Sequence, residues 1–114
     1  MNSCLFCRIV RREIPAEIVH ETADVLAFRD VRPVAPTHVL VVPKRHVAAV
    51  REAEDTDGEL LGQVMIGARD VARSLGLAAG GYRLVVNNGE EAGQTVFHLH
   101  VHVLAGRSLA WPPG

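Results

Sequence analysis

The sequence predicts an α+β domain, on three observations. Five short segments read as strands, one long segment carries the apolar stripe of an amphipathic helix, and a short helical turn precedes them all. With 114 residues, the chain is long enough for one domain, spanning 1–114, to bury a core without staples. Hydrophobic residues make up 48% and charged residues 22%, a globular rather than a disordered composition.

In chain order, Cys4-Leu5-Phe6-Cys7 runs into Arg8-Ile9-Val10 as a short helical turn that Pro15 ends. Residues 18–21 and 25–29 read as two strands joined by the turn Thr22-Ala23-Asp24, and Asp30-Val31-Arg32-Pro33 breaks the second. Between Pro36 and Pro43, four consecutive aliphatics (Val39 to Val42) predict a central strand buried on both faces. Thr56-Asp57-Gly58-Glu59 reads as a capping box, with hydroxyl at the N-cap and carboxylate three residues on. The helix it opens places Leu60, Leu61, Val64, Met65, Ala68, Val71, Ala72 and Leu75 on one stripe and stops at Gly76. That is a length of about 18 to 20 residues.

After Gly80-Gly81, residues 82–86 form the fourth strand and residues 97–104 the fifth. The link between them, residues 87–95, is long for a hairpin and rich in residues that tolerate positive φ. Long loops in compact domains are usually functional or disordered. This one delivers Gln94 and Thr95 beside the fifth strand, and Glu90 and Glu91 read as solvated charges. The terminal Trp111-Pro112-Pro113-Gly114 holds the only Trp of the chain and suggests docking against another surface.

The fifth strand carries three of the six histidines, each separated from the next by one apolar residue. Successive side chains of a strand point to opposite faces, so His98, His100 and His102 share one face. Phe97, Leu99, Val101 and Val103 line the other, the expected core side. Composition narrows the possible partners. Net charge is −1, with three Phe, one Tyr and one Trp, so neither a basic stripe nor aromatic interleaving marks a nucleic-acid surface. A negatively charged ligand must then be small and held by local donors. No apolar run has membrane-spanning length, and no leader pattern opens the chain, which points to the cytoplasm.

Two cysteines cannot make a disulfide framework. Cys4-x-x-Cys7 reads as a redox pair, as half of a structural zinc site, or as two incidental thiols. The redox reading lacks the strand that precedes such pairs in a βαβ unit. His98 and His102 lie about 13 Å apart along a strand, so the three histidines cannot hold one metal, although an i, i+2 pair could contribute to a catalytic zinc site. A different division fits the chain better. His98 joins Cys4, Cys7 and His46 in a closed site that staples the N-terminus, and His100 and His102 remain for chemistry. A neutral imidazole attacks phosphorus well when its other nitrogen donates to a fixed acceptor, and His100, in mid-strand, is the better nucleophile. His102 and His38 are placed to hold a phosphate or handle a leaving group's proton. Backbone amides near Gly93, with Gln94 and the Thr95 hydroxyl, are candidates to neutralise phosphoryl charge. Asp30 at a strand end suits the vicinal hydroxyls of a sugar, but taken alone the reading as a turn-favouring Asp leads.

His-x-His-x-His followed by two apolar residues resembles the signature of the histidine triad (HIT) family. Cys4-Leu5-Phe6-Cys7, Phe28-Arg29-Asp30, Pro36-Thr37-His38, Pro43-Lys44-Arg45-His46, Gly93-Gln94-Thr95 and the terminal Trp-Pro-Pro-Gly fall where its Hint branch has similar segments. The resemblance implies an antiparallel sheet continued across a homodimer. It also implies hydrolysis or transfer of nucleoside 5′-monophosphate groups, typically from purine phosphoramidates, without a catalytic metal. His100 matches the nucleophile that forms a nucleotidyl-histidine, and His38 and His102 match the supporting histidines. Asp30 matches the ribose-binding acid, and Asn87, Gly93, Gln94 and Thr95 match phosphate contacts. Leu5, Phe6 and Phe28 match the base pocket, and Trp111 joins the nucleotide-binding set. Thr95 stands where a Ser is usual, which keeps the hydroxyl and adds a methyl. Zinc-bearing members of the wider superfamily use two Cys, a His and the first triad His, which matches Cys4, Cys7, His46 and His98. Hydrolysis of dinucleoside polyphosphates and non-catalytic nucleotide binding are the alternative readings.

Overall fold

A computed structural model describes residues 4–114. Helix α1 (Leu5–Val10) leads into strands β1 (Ile18–Glu21), β2 (Val25–Arg29) and β3 (Thr37–Pro43). Two 3-10 turns then enter helix α2 (Gly58–Ser74), followed by β4 (Arg83–Val85), a third 3-10 turn and β5 (Val101–Ala105). The sheet has the order β1-β2-β3-β5-β4, every neighbouring pair antiparallel.

The aliphatic run of β3 is explained by its place at the centre of this sheet. Val39 and Val41 face α2, packed with Val25, Ala27, Val101 and Val103 against Val64, Ala68 and Val71. Leu40 and Val42 point the other way, onto Leu26, Phe28 and the α1 residues Phe6 and Ile9. Alternation is therefore present in β3, but both faces are covered, so every position from Val39 to Val42 is apolar. Each fully buried Val contributes about 1.5–3 kcal/mol relative to exposure. Helix α2 lies close on the sheet at Gly67, where a Cβ would sit 3.0 Å from Val25 Cγ1 and 3.3 Å from Val41 Cγ1.

Four boundaries differ from expectation. The capping box forms two residues earlier than Thr56: the Asp57 carboxylate accepts from the Glu54 amide at 2.8 Å, and the Glu54 side chain reciprocates. Two reciprocating carboxylates satisfy the orphan amides of the 3-10 turn, and α2 then continues for 17 residues without a side-chain cap. Met65 is 47% exposed, because the buried stripe runs through Val64, Gly67, Ala68, Val71 and Ala72 instead. Helix α1 ends at Val10, well before Pro15, as Arg12 takes a positive φ of 64°. Strand β5 begins only at Val101. Upstream, the Leu99 amide donates to the Val47 carbonyl at 2.7 Å, which diverts residues 97–100 from the ladder. Leu99, Val101 and Val103 still face the core, but Phe97 is 39% exposed rather than buried. Strand β4 likewise spans three residues, not five.

Candidate active site and metal centre

Antiparallel pairing of β3 with β5 sets Leu40 opposite His102 and His38 opposite Leu104. His38 and His102 are thus diagonal neighbours on the face away from α2. The Val34 amide donates to His38 Nδ1 at 3.1 Å, so the proton of this neutral ring is on Nε2. Nε2 lies 2.9 Å from His102 Nδ1 and 3.4 Å from an Asp30 carboxylate oxygen. His102 Nδ1 accepts, which leaves its own proton on Nε2. That Nε2–H is buried and has no partner among the described residues. A buried donor without a partner costs about 1–3 kcal/mol, which a ligand oxygen or nitrogen would recover. The other Asp30 oxygen accepts from the Arg32 amide at 2.8 Å, which holds the carboxylate in an Asx turn.

His100 is oriented in the opposite sense. Its Nδ1 lies 2.7 Å from the His98 carbonyl, which can only accept, so Nδ1 carries the proton and the Nε2 lone pair is free. The His100 and His102 rings meet edge to face with centroids 4.9 Å apart. A free lone pair and an unpartnered N–H therefore stand side by side. Burial lowers all three imidazoles from the ordinary histidine value: His38 and His100 downward, and His102 to about 4. All three are neutral near pH 7, as this hydrogen-bond chain requires.

His100 and His102 open onto a cavity of about 430 Å³. Leu5, Phe6 and Ile9 of α1, with Phe28 and Leu40, give it an apolar wall, and Asp30, Arg32 and Thr95 add polar groups. Phe6 is the hub of that wall. Its ring meets Phe28 with centroids 5.4 Å apart and His100 at 5.1 Å, both edge to face. Of the residues expected to contact a nucleotide, Leu5, Phe6, Phe28, Asp30, Thr95, His100 and His102 line this one cavity.

Asn87, Gly93, Gln94 and Trp111 are not part of that lining. Gln94 is buried, but its side chain braces its own loop. Oε1 accepts from the Gly89 amide at 2.8 Å, and Nε2 donates to the Ala48 and Val96 carbonyls. A buried amide satisfies itself from the nearest backbone, so here the side chain is turned inward. Gly93 has a φ of 98°, which ends the 3-10 turn at Glu90–Ala92. Trp111 is 81% exposed, so no docking surface among the described residues covers it. Ile9, Leu40 and Arg32 were missed as lining residues. The signal for Ile9 was its helical spacing of three from Phe6, and for Leu40 its strand spacing of two from His38.

Cys4, Cys7, His46 and His98 meet on the far side of Phe6, where their ligand atoms all lie within 4.8 Å of one another. His98 is fully buried, and its Nε2 donates to the Pro43 carbonyl at 2.7 Å, which turns the Nδ1 lone pair into the cluster. His98 Nδ1 is 3.3 Å from His46 Nδ1, 3.4 Å from Cys4 Sγ and 3.5 Å from Cys7 Sγ. Tetrahedral zinc with ordinary bond lengths separates two nitrogens by about 3.3 Å and nitrogen from sulfur by about 3.6 Å. Two thiols and two imidazoles converging at these spacings fit a closed structural site. Asp30, His38 and His102 also lie within 4.8 Å of one another. Their 2.9 Å nitrogen–nitrogen distance, however, is that of a hydrogen bond and shorter than a shared tetrahedral zinc gives.

The crossed sheet, the single long helix and the histidine face define the class. The model of the HIT domain matches residues 11–109, and the chain belongs to that family. An uncharacterized HIT-like protein of Synechocystis sp. is 52% identical over 110 residues, covering 96% of each chain. Among solved structures, a HIT family hydrolase from Legionella pneumophila is 50% identical with a TM-score of 0.95, covering 98% of this chain and 100% of that one. A histidine triad nucleotide-binding protein from Candida albicans is 33% identical with a TM-score of 0.83, covering 96% and 83%.

Proposed function

We propose that this protein hydrolyses purine nucleoside 5′-phosphoramidates, releasing the nucleoside 5′-monophosphate through a nucleotidyl-His100 intermediate. The observation that carries the reading is the pairing of a free His100 Nε2 with the unpartnered His102 Nε2–H at the end of an apolar cavity. The base lies against Leu5, Phe6 and Phe28, and Asp30 accepts from ribose hydroxyls. His100 Nε2 forms a bond to phosphorus as the P–N bond breaks, and that electron pair leaves with the amine, which takes a proton from solvent. His102 Nε2–H hydrogen-bonds the reacting phosphoryl group, with the Thr95 hydroxyl and the Asn87–Gly93 loop beside it. The His98 carbonyl stabilises the Nδ1–H of the cationic nucleotidyl-imidazole. Water then attacks phosphorus and frees His100.

Relatives named as a HIT family hydrolase and as a histidine triad nucleotide-binding protein support the class of reaction. Purified protein should release AMP from adenosine 5′-phosphoramidate, and His100→Ala should abolish this without unfolding the chain. Turnover that survives His100→Ala would refute the mechanism, and tight AMP binding without turnover would leave a binding module. Arg32, a cation on the cavity wall, favours a second substrate class, dinucleoside polyphosphates, which the same assay compares. We assign the Cys4, Cys7, His46 and His98 centre to structural zinc, whose chemistry is to cross-link α1 to the loop before β5. The active unit is a homodimer whose sheet continues across the two copies.

A further inference from the structure

We propose that the metal centre and the nucleotide cavity are one coupled unit, joined by Phe6 and His98, so that each ligand tightens the binding of the other. The inference rests on the reading of the cavity as a nucleotide site. Three observations carry it. First, the two cysteines bracket the cavity wall: Leu5 and Phe6, which line the cavity, lie between Cys4 and Cys7, which face the metal cluster. Helix α1 has six residues, too few to hold its shape unaided. Its position depends on the Phe6 and Ile9 packing at one side and the cysteine ligands at the other.

Second, His98 is a positioning residue with three fixed points. Its Nδ1 faces the cluster, its Nε2–H donates to Pro43, and its carbonyl holds the Nδ1–H of His100 at 2.7 Å. Locking the ring of His98 thereby locks the acceptor that orients the nucleophile. Third, the Phe6 ring touches both histidines edge to face, with centroids 6.0 Å from His98 and 5.1 Å from His100. Without ligation at the cysteines, a nucleotide must order α1 as it binds; with it, that ordering has already taken place.

Binding linkage is reciprocal, so one number describes both directions. AMP should bind zinc-loaded protein about tenfold more tightly than chelator-stripped protein. AMP should raise zinc affinity, measured by chelator competition, by the same factor. Equal AMP affinity with and without zinc would overturn the proposal. Phe6→Leu keeps all four ligands: zinc should remain at one per chain while the coupling factor falls towards one, and undiminished coupling would remove Phe6 from the link. Circular dichroism of the stripped chain is recorded alongside. If that chain unfolds, cobalt-loaded protein decides: AMP should shift the visible bands of thiolate–imidazole cobalt, and an unchanged spectrum with AMP bound overturns the coupling. Loaded protein that does not bind AMP at all refutes the nucleotide reading instead.

Discussion

Replacing His38 with Phe tests the hydrogen-bond chain that orients His102. The substitution fills the buried volume and removes the Nε2–H that now lies 2.9 Å from His102 Nδ1. A buried acceptor deprived of its donor costs about 1–3 kcal/mol. At roughly 2 cal/mol/K of unfolding entropy per residue, a chain of this size loses about 4 °C of melting temperature for each kcal/mol. The variant should therefore melt about 4–12 °C lower. In the active site, the tautomer of His102 is no longer set by a hydrogen bond worth about 0.5–1.5 kcal/mol, and a factor of about ten in kcat should follow. KM should change little, because Leu5, Phe6 and Phe28 are untouched and Asp30, which loses its contact with His38, is still held by the Arg32 amide. Steady-state kinetics on adenosine 5′-phosphoramidate and ¹⁵N NMR of the imidazoles read both effects. Unchanged kcat, with the His102 proton still on Nε2, would refute the chain of donors from Val34 through His38 to His102.

Three further outcomes follow from named contacts. Burial holds His102 at about 4, below its ordinary 6.5, so its contribution to stability is intact above pH 6.5 and lost as the pH falls towards 4. Urea midpoints measured across that range should fall, and His102→Gln should make the profile shallower, with His38, His98 and His100 keeping the remaining slope. Cys7→Ser should lose the metal by elemental analysis and lower the melting temperature; full zinc content in that variant would dismiss the four-ligand assignment. Gly67→Ala should destabilise by about 1 kcal/mol in urea titration, since crowding at Val25 and Val41 outweighs the helix-propensity gain of about 0.5–1 kcal/mol.

Elements built on local pattern were legible. β1 and β2 occupy the expected residues, and the aliphatic run of β3 does lie at the centre of the sheet. The division of the histidines was also legible: His98 sits with Cys4, Cys7 and His46, and His100 and His102 line the cavity. Alternation alone conveys the face on which each ring lies. It does not convey where pairing stops, which is why β5 is shorter than its pattern and Phe97 is exposed. The direction of the Gln94 side chain was not legible for a related reason: an amide in a glycine-rich loop looks free to meet a ligand until the backbone groups that claim it are known.

By itself, the amino-acid order determined the chemistry available: which side chains alternate, which share a helical turn, and which types face one another. Tertiary structure decided their protonation and direction. His38, His100 and His98 each receive a tautomer from a backbone group of another segment or another residue: the Val34 amide, the His98 carbonyl and the Pro43 carbonyl. An imidazole is symmetric in what it offers until a fixed partner occupies one nitrogen. The Val34 and His98 groups are near neighbours in the chain, but the Pro43 carbonyl reaches His98, and His38 reaches His102, only when the sheet brings β3 beside the chain of β5, and three like residues then take on different roles.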